Sequence, residues 1–176
     1  MKRMILAGLL LLFIAGCITS KESEVFSMSG LELTSPAFDD GVNIPRKYTC
    51  DGEDVNPPLR IEGVPAGTKS IVLIVDDPDA PLGMWVHWVV WNIPPETKEL
   101  PENTVPAGAV EGLNDFQKHS YGGPCPLSGK HKYYFKLYAL DIKLNLDPNS
   151  LKKDVRNAME GHVLAQAKLM GTYGRR

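Results

Sequence analysis

Two apolar runs limit what this chain can become. "SIVLIV" (70–75) and "VHWVVWNI" (86–93) are short and rich in β-branched and aromatic residues. Neither shows a polar face, so each reads as a central strand buried on both sides. Between them lies an acidic, proline-containing turn, "DDPDAP" (76–81), whose prolines fix the path and remove two amide donors. Pro94-Pro95 ends the second run.

The rest of the chain supplies shorter elements around these two. "HKYYFKLYAL" (131–140) alternates, with Lys132, Tyr134, Lys136 and Tyr138 on one face and Tyr133, Phe135, Leu137 and Ala139 on the other. Short strands are expected at Leu31–Leu33, Leu59–Glu62 and Val105–Val110. Asp147-Pro148-Asn149-Ser150 predicts a helix start with Ser150 as N-cap, and Leu151, Val155, Ala158 and Met159 form its apolar face up to Gly161. "VLAQAKLMGTY" (163–173) either continues the helix or returns as a strand with Ala165, Ala167 and Leu169 on one face; the strand is the preferred reading. With 16 glycines and 14 prolines in 176 residues, the chain predicts one mainly β domain built from two antiparallel sheets.

The N-terminus reads separately. Lys2 and Arg3 precede an apolar stretch, Met4 to Ile14, that is short for a membrane span. It ends in Ile14-Ala15-Gly16-Cys17, which resembles the lipobox of a prokaryotic lipoprotein, where cleavage precedes a cysteine that receives lipid. An ordinary secretory signal is the alternative. The expected organisation is a signal peptide at 1–17, a small and polar tether at 18–29, and a domain at 30–176. The protein is then exported and anchored through Cys17 to the outer face of the cell membrane, or periplasmic. Cys50 and Cys125 remain, and two cysteines in an oxidising compartment most simply form one disulfide. Two free thiols are the alternative.

Few residues carry obvious chemistry. A net charge of −2 supplies no basic field for nucleic acid. His87 sits inside an apolar strand. Regular alternation puts Trp85, His87, Val89 and Trp91 on one face and Val86, Trp88 and Val90 on the other. A buried imidazole needs partners for its nitrogens, so His87 is either a satisfied core histidine or part of a pocket. The carboxylates of the preceding turn could orient it. His131 opens the other long strand, directly after "GGPCP" (122–126), on the same face as Tyr133. Two histidines, a phenol and freed glycine amides are donors suited to phosphate oxygens.

These motifs, in this order, resemble the phosphatidylethanolamine-binding protein family, also called the Raf kinase inhibitor protein-like family. "DPDAP", Trp85-x-His87, Gly123-Pro124 and His131-x-Tyr133 carry the resemblance. The longer strings "YTCDGEDVNPPL", "WVHWVVWNIP" and "MEGHVLAQAKLMGTYG" are similar to its prokaryotic branch. The resemblance runs from about Leu31 to Gly174. It implies a large central antiparallel sheet, a second smaller sheet and few flanking helices, with a small anion pocket at one end of the sheet. It implies Asp77, Asp79, Pro81, Trp85, His87, Gly123, Pro124, His131 and Tyr133 as ligand-binding residues. It also suggests that a Cys50–Cys125 bridge would brace the pocket loop against the 44–59 segment. Lys132 stands where the family usually has arginine, keeping charge without fork geometry. The chain ends soon after "MGTYGRR", where mammalian members carry a helix over the pocket mouth.

The expected function is therefore an anion-pocket binding protein for phosphate or a phosphorylated headgroup. An inhibitor of a protease or kinase-like partner, acting through the surface around the pocket, is the second reading. A hydrolase is disfavoured, since no serine or cysteine nucleophile sits beside a base in a recognisable motif. No cofactor, metal or nucleic acid is expected, and a homodimer stays open.

Overall fold

The computed structural model, which describes residues 30–175, places both apolar runs inside a five-stranded antiparallel sheet. The strands are β1 (Glu32–Thr34), β2 (Leu59–Glu62), β3 (Ser70–Asp77), β4 (Trp85–Ile93), β5 (Glu99–Leu100), β6 (Val110–Glu111), β7 (Lys130–Leu140) and β8 (Val163–Gly174). The helix α1 (Lys152–Met159) precedes β8. The large sheet has the order β6-β4-β3-β7-β8, and a smaller one the order β1-β2-β5. This is the mainly β, two-sheet class expected. The signal-peptide, tether and Cys17 expectations lie outside the described residues.

Every residue of β3 is buried because the sheet is covered twice. On one side the small sheet packs Leu33, Leu59, Ile61 and Leu100 against Leu73, Val75, Phe135 and Leu137. On the other, Val155 and Met159 of α1 join Val72, Ile74, Val89 and Trp91. β7 keeps its alternation along its length, with Tyr133, Phe135 and Leu137 beneath the small sheet.

Local departures from the sequence reading have local causes. Residues 163–174 form the edge strand β8, and Ala165 and Leu169 are buried as alternation requires. Ser150 is not the N-cap. The preceding turn uses its polar groups internally, with the Ser150 amide donating to Asp147 O at 2.8 Å. Leu151 takes the cap position, and its amide donates to the Asp154 carboxylate at 2.9 Å. Of Val105–Val110 only Val110 enters a strand, because residues 106–109 close a turn through Ala109 N and Pro106 O. The first strand starts one residue later than expected.

The chain enters the small sheet at Gly30, packed so tightly on Gly63 that a β-carbon there would lie 1.7 Å from the Gly30 carbonyl oxygen. Gly63 follows β2 and precedes β3, so this crossing sits at the end of the sheets opposite the β3–β4 turn.

Candidate functional site

β3 and β4 stop being regular where the chemistry begins. Asp77 pairs with Trp85 and Asp76 with Val86, but Val75 pairs with Trp88, which leaves His87 without a partner on β3. His87 is thus the extra residue of a β-bulge, a device that re-aims side chains. The loop after β6 takes up its backbone. The His87 carbonyl accepts from Gly122 N at 3.0 Å and from Asn114 Nδ2 at 3.1 Å. Its ring Nδ1 donates to the Gly122 carbonyl at 2.6 Å, leaving Nε2 as the nitrogen available to a ligand.

The bulge overturns the expected face assignment. Trp88 and Val90 lie under the small sheet, on the side to which His87 turns. Val89 and Trp91 face α1 instead of sharing the face of His87. One extra residue shifts the period-2 pattern of the residues that follow, until a second irregularity, between Leu73 and Ile71, returns Ile93 to the small-sheet side.

His87 meets the start of β7. Its ring stands edge-on to Tyr133 at 5.2 Å between centroids, and Tyr133 stacks with His131 at 6.4 Å. Nδ1 of His131 donates to the Asp77 carboxylate at 2.7 Å. Phe116 closes the other side, edge-on to His87 at 5.3 Å and to Trp85 at 5.4 Å. The sequence-predicted residues Asp77, Trp85, His87, His131 and Tyr133 therefore form one continuous cluster.

Burial controls the ionisation here. It holds the His87 imidazole below its ordinary range, despite the Gly122 carbonyl and the Asp77 charge. It also pushes the Tyr133 phenol far above its usual range, helped by the Asp77 charge, so the hydroxyl stays a donor. The Tyr133 oxygen is buried with no hydrogen bond of good geometry among the described residues, although the Asp77 carboxylate and the Cys125 backbone lie close enough to act on it.

The glycine–proline loop is held by residues the sequence did not single out. Gly123 N donates to Asp54 Oδ1 at 2.7 Å. A β-carbon on Gly123 would fall 2.6 Å from both that oxygen and the Tyr48 carbonyl, so the approach requires glycine. Tyr121, fully buried, donates from its hydroxyl to Tyr48 O at 3.0 Å. Cys50 and Cys125 are bridged, and Cys50 N donates to Pro124 O at 3.2 Å. The loop is thus braced against the 46–54 segment, as the bridge suggested. Asn114 accepts from Phe116 N and Lys118 N while serving the bulge, and so shapes the opposite wall.

The acidic turn divides into parts. Asp77 is buried, with its Oδ1 accepting from Asp79 N at 2.8 Å. Asp79 is exposed, and its carboxylate ties the turn to β7 through Lys132 N at 2.9 Å. Pro81 is exposed on the rim. The Lys132 side chain follows β7 alternation onto the outer face, away from the cluster. A cleft of about 470 Å³ lined by Arg60, Gly63, Pro95 and Lys98 lies elsewhere and gathers none of these residues. No group of three His, Cys, Asp or Glu side chains among the described residues is arranged to hold a metal.

Comparisons with known proteins bear on the family and the fold. The sequence profile of the family described as "Phosphatidylethanolamine-binding protein" matches residues 34–174. A UPF0098 protein of Methanothermobacter thermautotrophicus is 53% identical over 150 residues, covering 82% of this chain and 99% of its own. One from Pyrococcus horikoshii is 47% identical over 170 residues, covering 92% of this chain and 83% of its own. Among solved structures, a phosphatidylethanolamine-binding protein homologue of Chlamydia trachomatis superposes with a TM-score of 0.81 at 44% identity, over 84% of this chain and 99% of that one. Escherichia coli YbcL gives a TM-score of 0.78 at 34% identity, over 83% and 99%.

Proposed function

This chain belongs to the phosphatidylethanolamine-binding protein family, and from that premise we propose that the His87–Tyr133–His131 cluster binds a phosphate-bearing anion. The supporting observation is the buried Tyr133 hydroxyl, which lacks a partner where the two histidines meet. A donor in that state is stabilised by an incoming oxyanion. His131 commits Nδ1 to Asp77, which leaves its Nε2 for the ligand. His87 is neutral at pH 7 when empty, so its Nε2 accepts from a protonated phosphate or captures a proton as the anion enters. Binding without turnover suits a site with no nucleophile beside a base.

Phosphate titration calorimetry tests this. Parent protein is expected to bind, and His131→Ala or Asp77→Asn to bind at least about tenfold more weakly, the loss of one charged hydrogen bond. Equal affinities in all three would sink the proposal.

Inhibition of a protein partner is a second reading. It is favoured by Leu82, Met84 and Leu127, which are 94%, 49% and 81% exposed on loops at the same end of the sheet. Inhibition of a protease that survives His131→Ala but disappears with Leu82→Ser would support it. Export and lipid attachment at Cys17 belong to the same proposal. Gly30 joins the domain at the end away from the cluster, so an anchored protein would hold the site away from its attachment point.

A further inference from the structure

The outer face of β7 and β8 is left partly uncovered, and its chemistry is one-sided. Alternation places Lys130, Lys132, Tyr134 and Lys136 in one line along β7. They span about 20 Å at strand spacing. Lys168 of β8 sits directly opposite Lys136 in the register. Like charges so placed repel each other. Lys152 of α1 reaches the same spot, where it and Lys136 share the buried Asp76 carboxylate. Lys136 Nζ lies 2.8 Å from Asp76 Oδ1 but donates to Oδ2 at 3.0 Å. The buried Asp76 carboxylate sits beneath Lys136 and Lys152, and Asp79 and Asp40 reach the borders of the face at Lys132 N and Met170 N, while Lys130, Lys132 and Lys168 are exposed.

This patch contrasts with the whole chain, whose net charge is −2. Its centre is aromatic. The Tyr134 ring carries Lys136 Nζ at 5.6 Å and Lys168 Nζ at 5.4 Å from its centroid. Met170 of β8 pairs with Tyr134 and lies on the same face. The ladder hydrogen bonds are internal to the sheet, so only side chains are offered to a partner.

We propose that this face is a docking surface for an anionic lipid membrane. Lysines with tyrosine and methionine in one plane match an interface of charged headgroups over apolar chains. A strand of acidic peptide would want a groove or a free edge, and the β8 edge beside Met170 and Thr172 is already taken by the 41–44 segment. A nucleic acid would want an open ring to stack on, and the ammonium groups already occupy Tyr134. The face runs along the strands, between the Gly30 end and the His131 end. This contact is separate from attachment at Cys17 and uses none of the residues assigned to anion binding.

The test is vesicle co-sedimentation of the full chain, scored as the ratio of partitioning into phosphatidylglycerol-containing over purely phosphatidylcholine vesicles. The ratio cancels apolar insertion by the N-terminal segment. K132A with K168A is expected to lower it about 30-fold, near fivefold per lysine. K69A with K98A, equal in charge but away from this face, is expected to leave it unchanged. An unchanged ratio in the K132A/K168A protein overturns the proposal, and so does an equal fall in the K69A/K98A protein. A fall in H131A would assign the anionic preference to the phosphate cluster. Binding of soluble polyglutamate that is as tight as vesicle binding and lost with K132A/K168A would reassign the face to an acidic protein. Inorganic phosphate affinity, measured in parallel, is expected to be the same in the lysine variants, so failure here is distinct from failure of the anion site.

Discussion

Replacing Tyr133 by Phe separates what the hydroxyl does for stability from what it does for a ligand. Tyr133 is 0% exposed, and its oxygen lacks a hydrogen-bond partner among the described residues. Burying such a group costs about 1–3 kcal/mol. Phenylalanine keeps the ring contacts with His87 and His131 and removes only the oxygen. The small void left behind offsets part of the gain. The ligand-free variant is therefore expected to be more stable by on the order of 1 kcal/mol, a rise of roughly 2–4 °C in Tm for a domain of this size. Toward phosphate the effect reverses. A hydrogen bond to a charged acceptor contributes about 1.5–3 kcal/mol, so affinity is expected to fall about 10- to 150-fold. Urea unfolding in phosphate-free buffer gives the first quantity and titration calorimetry the second. A variant at least about 1 kcal/mol less stable than the parent would refute the reasoning, since the hydroxyl would then have a structural partner. Unchanged phosphate affinity would refute its role as a donor.

Three further outcomes follow from the site. Burial depresses the His87 pKa in the folded state, so the unfolded chain takes up its proton first as pH falls. Stability is then full above the unfolded value of about 6.5 and declines as pH drops toward the folded value; His87→Gln should flatten that part of a Tm-versus-pH curve. Gly123→Ala forces a methyl group to within 2.6 Å of Asp54 Oδ1 and Tyr48 O. A loss of about 1–3 kcal/mol in urea unfolding is expected, together with weaker phosphate binding, and a neutral result would show that the loop has room to move. Cys50→Ser with Cys125→Ser opens a bridge spanning 75 residues. The chain-entropy account allows a loss of up to roughly 4–5 kcal/mol, and an unchanged urea midpoint would mean that Asp54 and the Cys50 N–Pro124 O bond hold the loop unaided.

How far the sequence could be read depended on which contacts are local. His131, Tyr133 and Phe135 were placed together because β7 alternates without interruption from 130 to 139. The two-layer core followed from β3, whose apolar run leaves no solvent face. The orientation of Val89 and Trp91 was not legible, because the bulge at His87 depends on Gly122 and Asn114, about thirty residues later. Asp54 was missed for a similar reason. Its role exists only because Gly123 arrives beside it, and nothing near position 54 signals that meeting. Ser150 misled because its residue type suits a cap, while the preceding turn left that position to Leu151.

The unpaired position of His87 also separates the fold from the site. Val86 turns toward α1 and Trp88 toward the small sheet. If His87 were deleted, those two would become neighbours in perfect alternation, and each would keep its partner, Asp76 or Val75. The ladder would then run unbroken from Asp77 to Leu73, with Trp88, Val89, Val90 and Trp91 still in their layers, and the second irregularity, between Leu73 and Ile71, would remain. The histidine is therefore an addition to the ladder that its pairing does not require, held instead by Gly122 and Asn114.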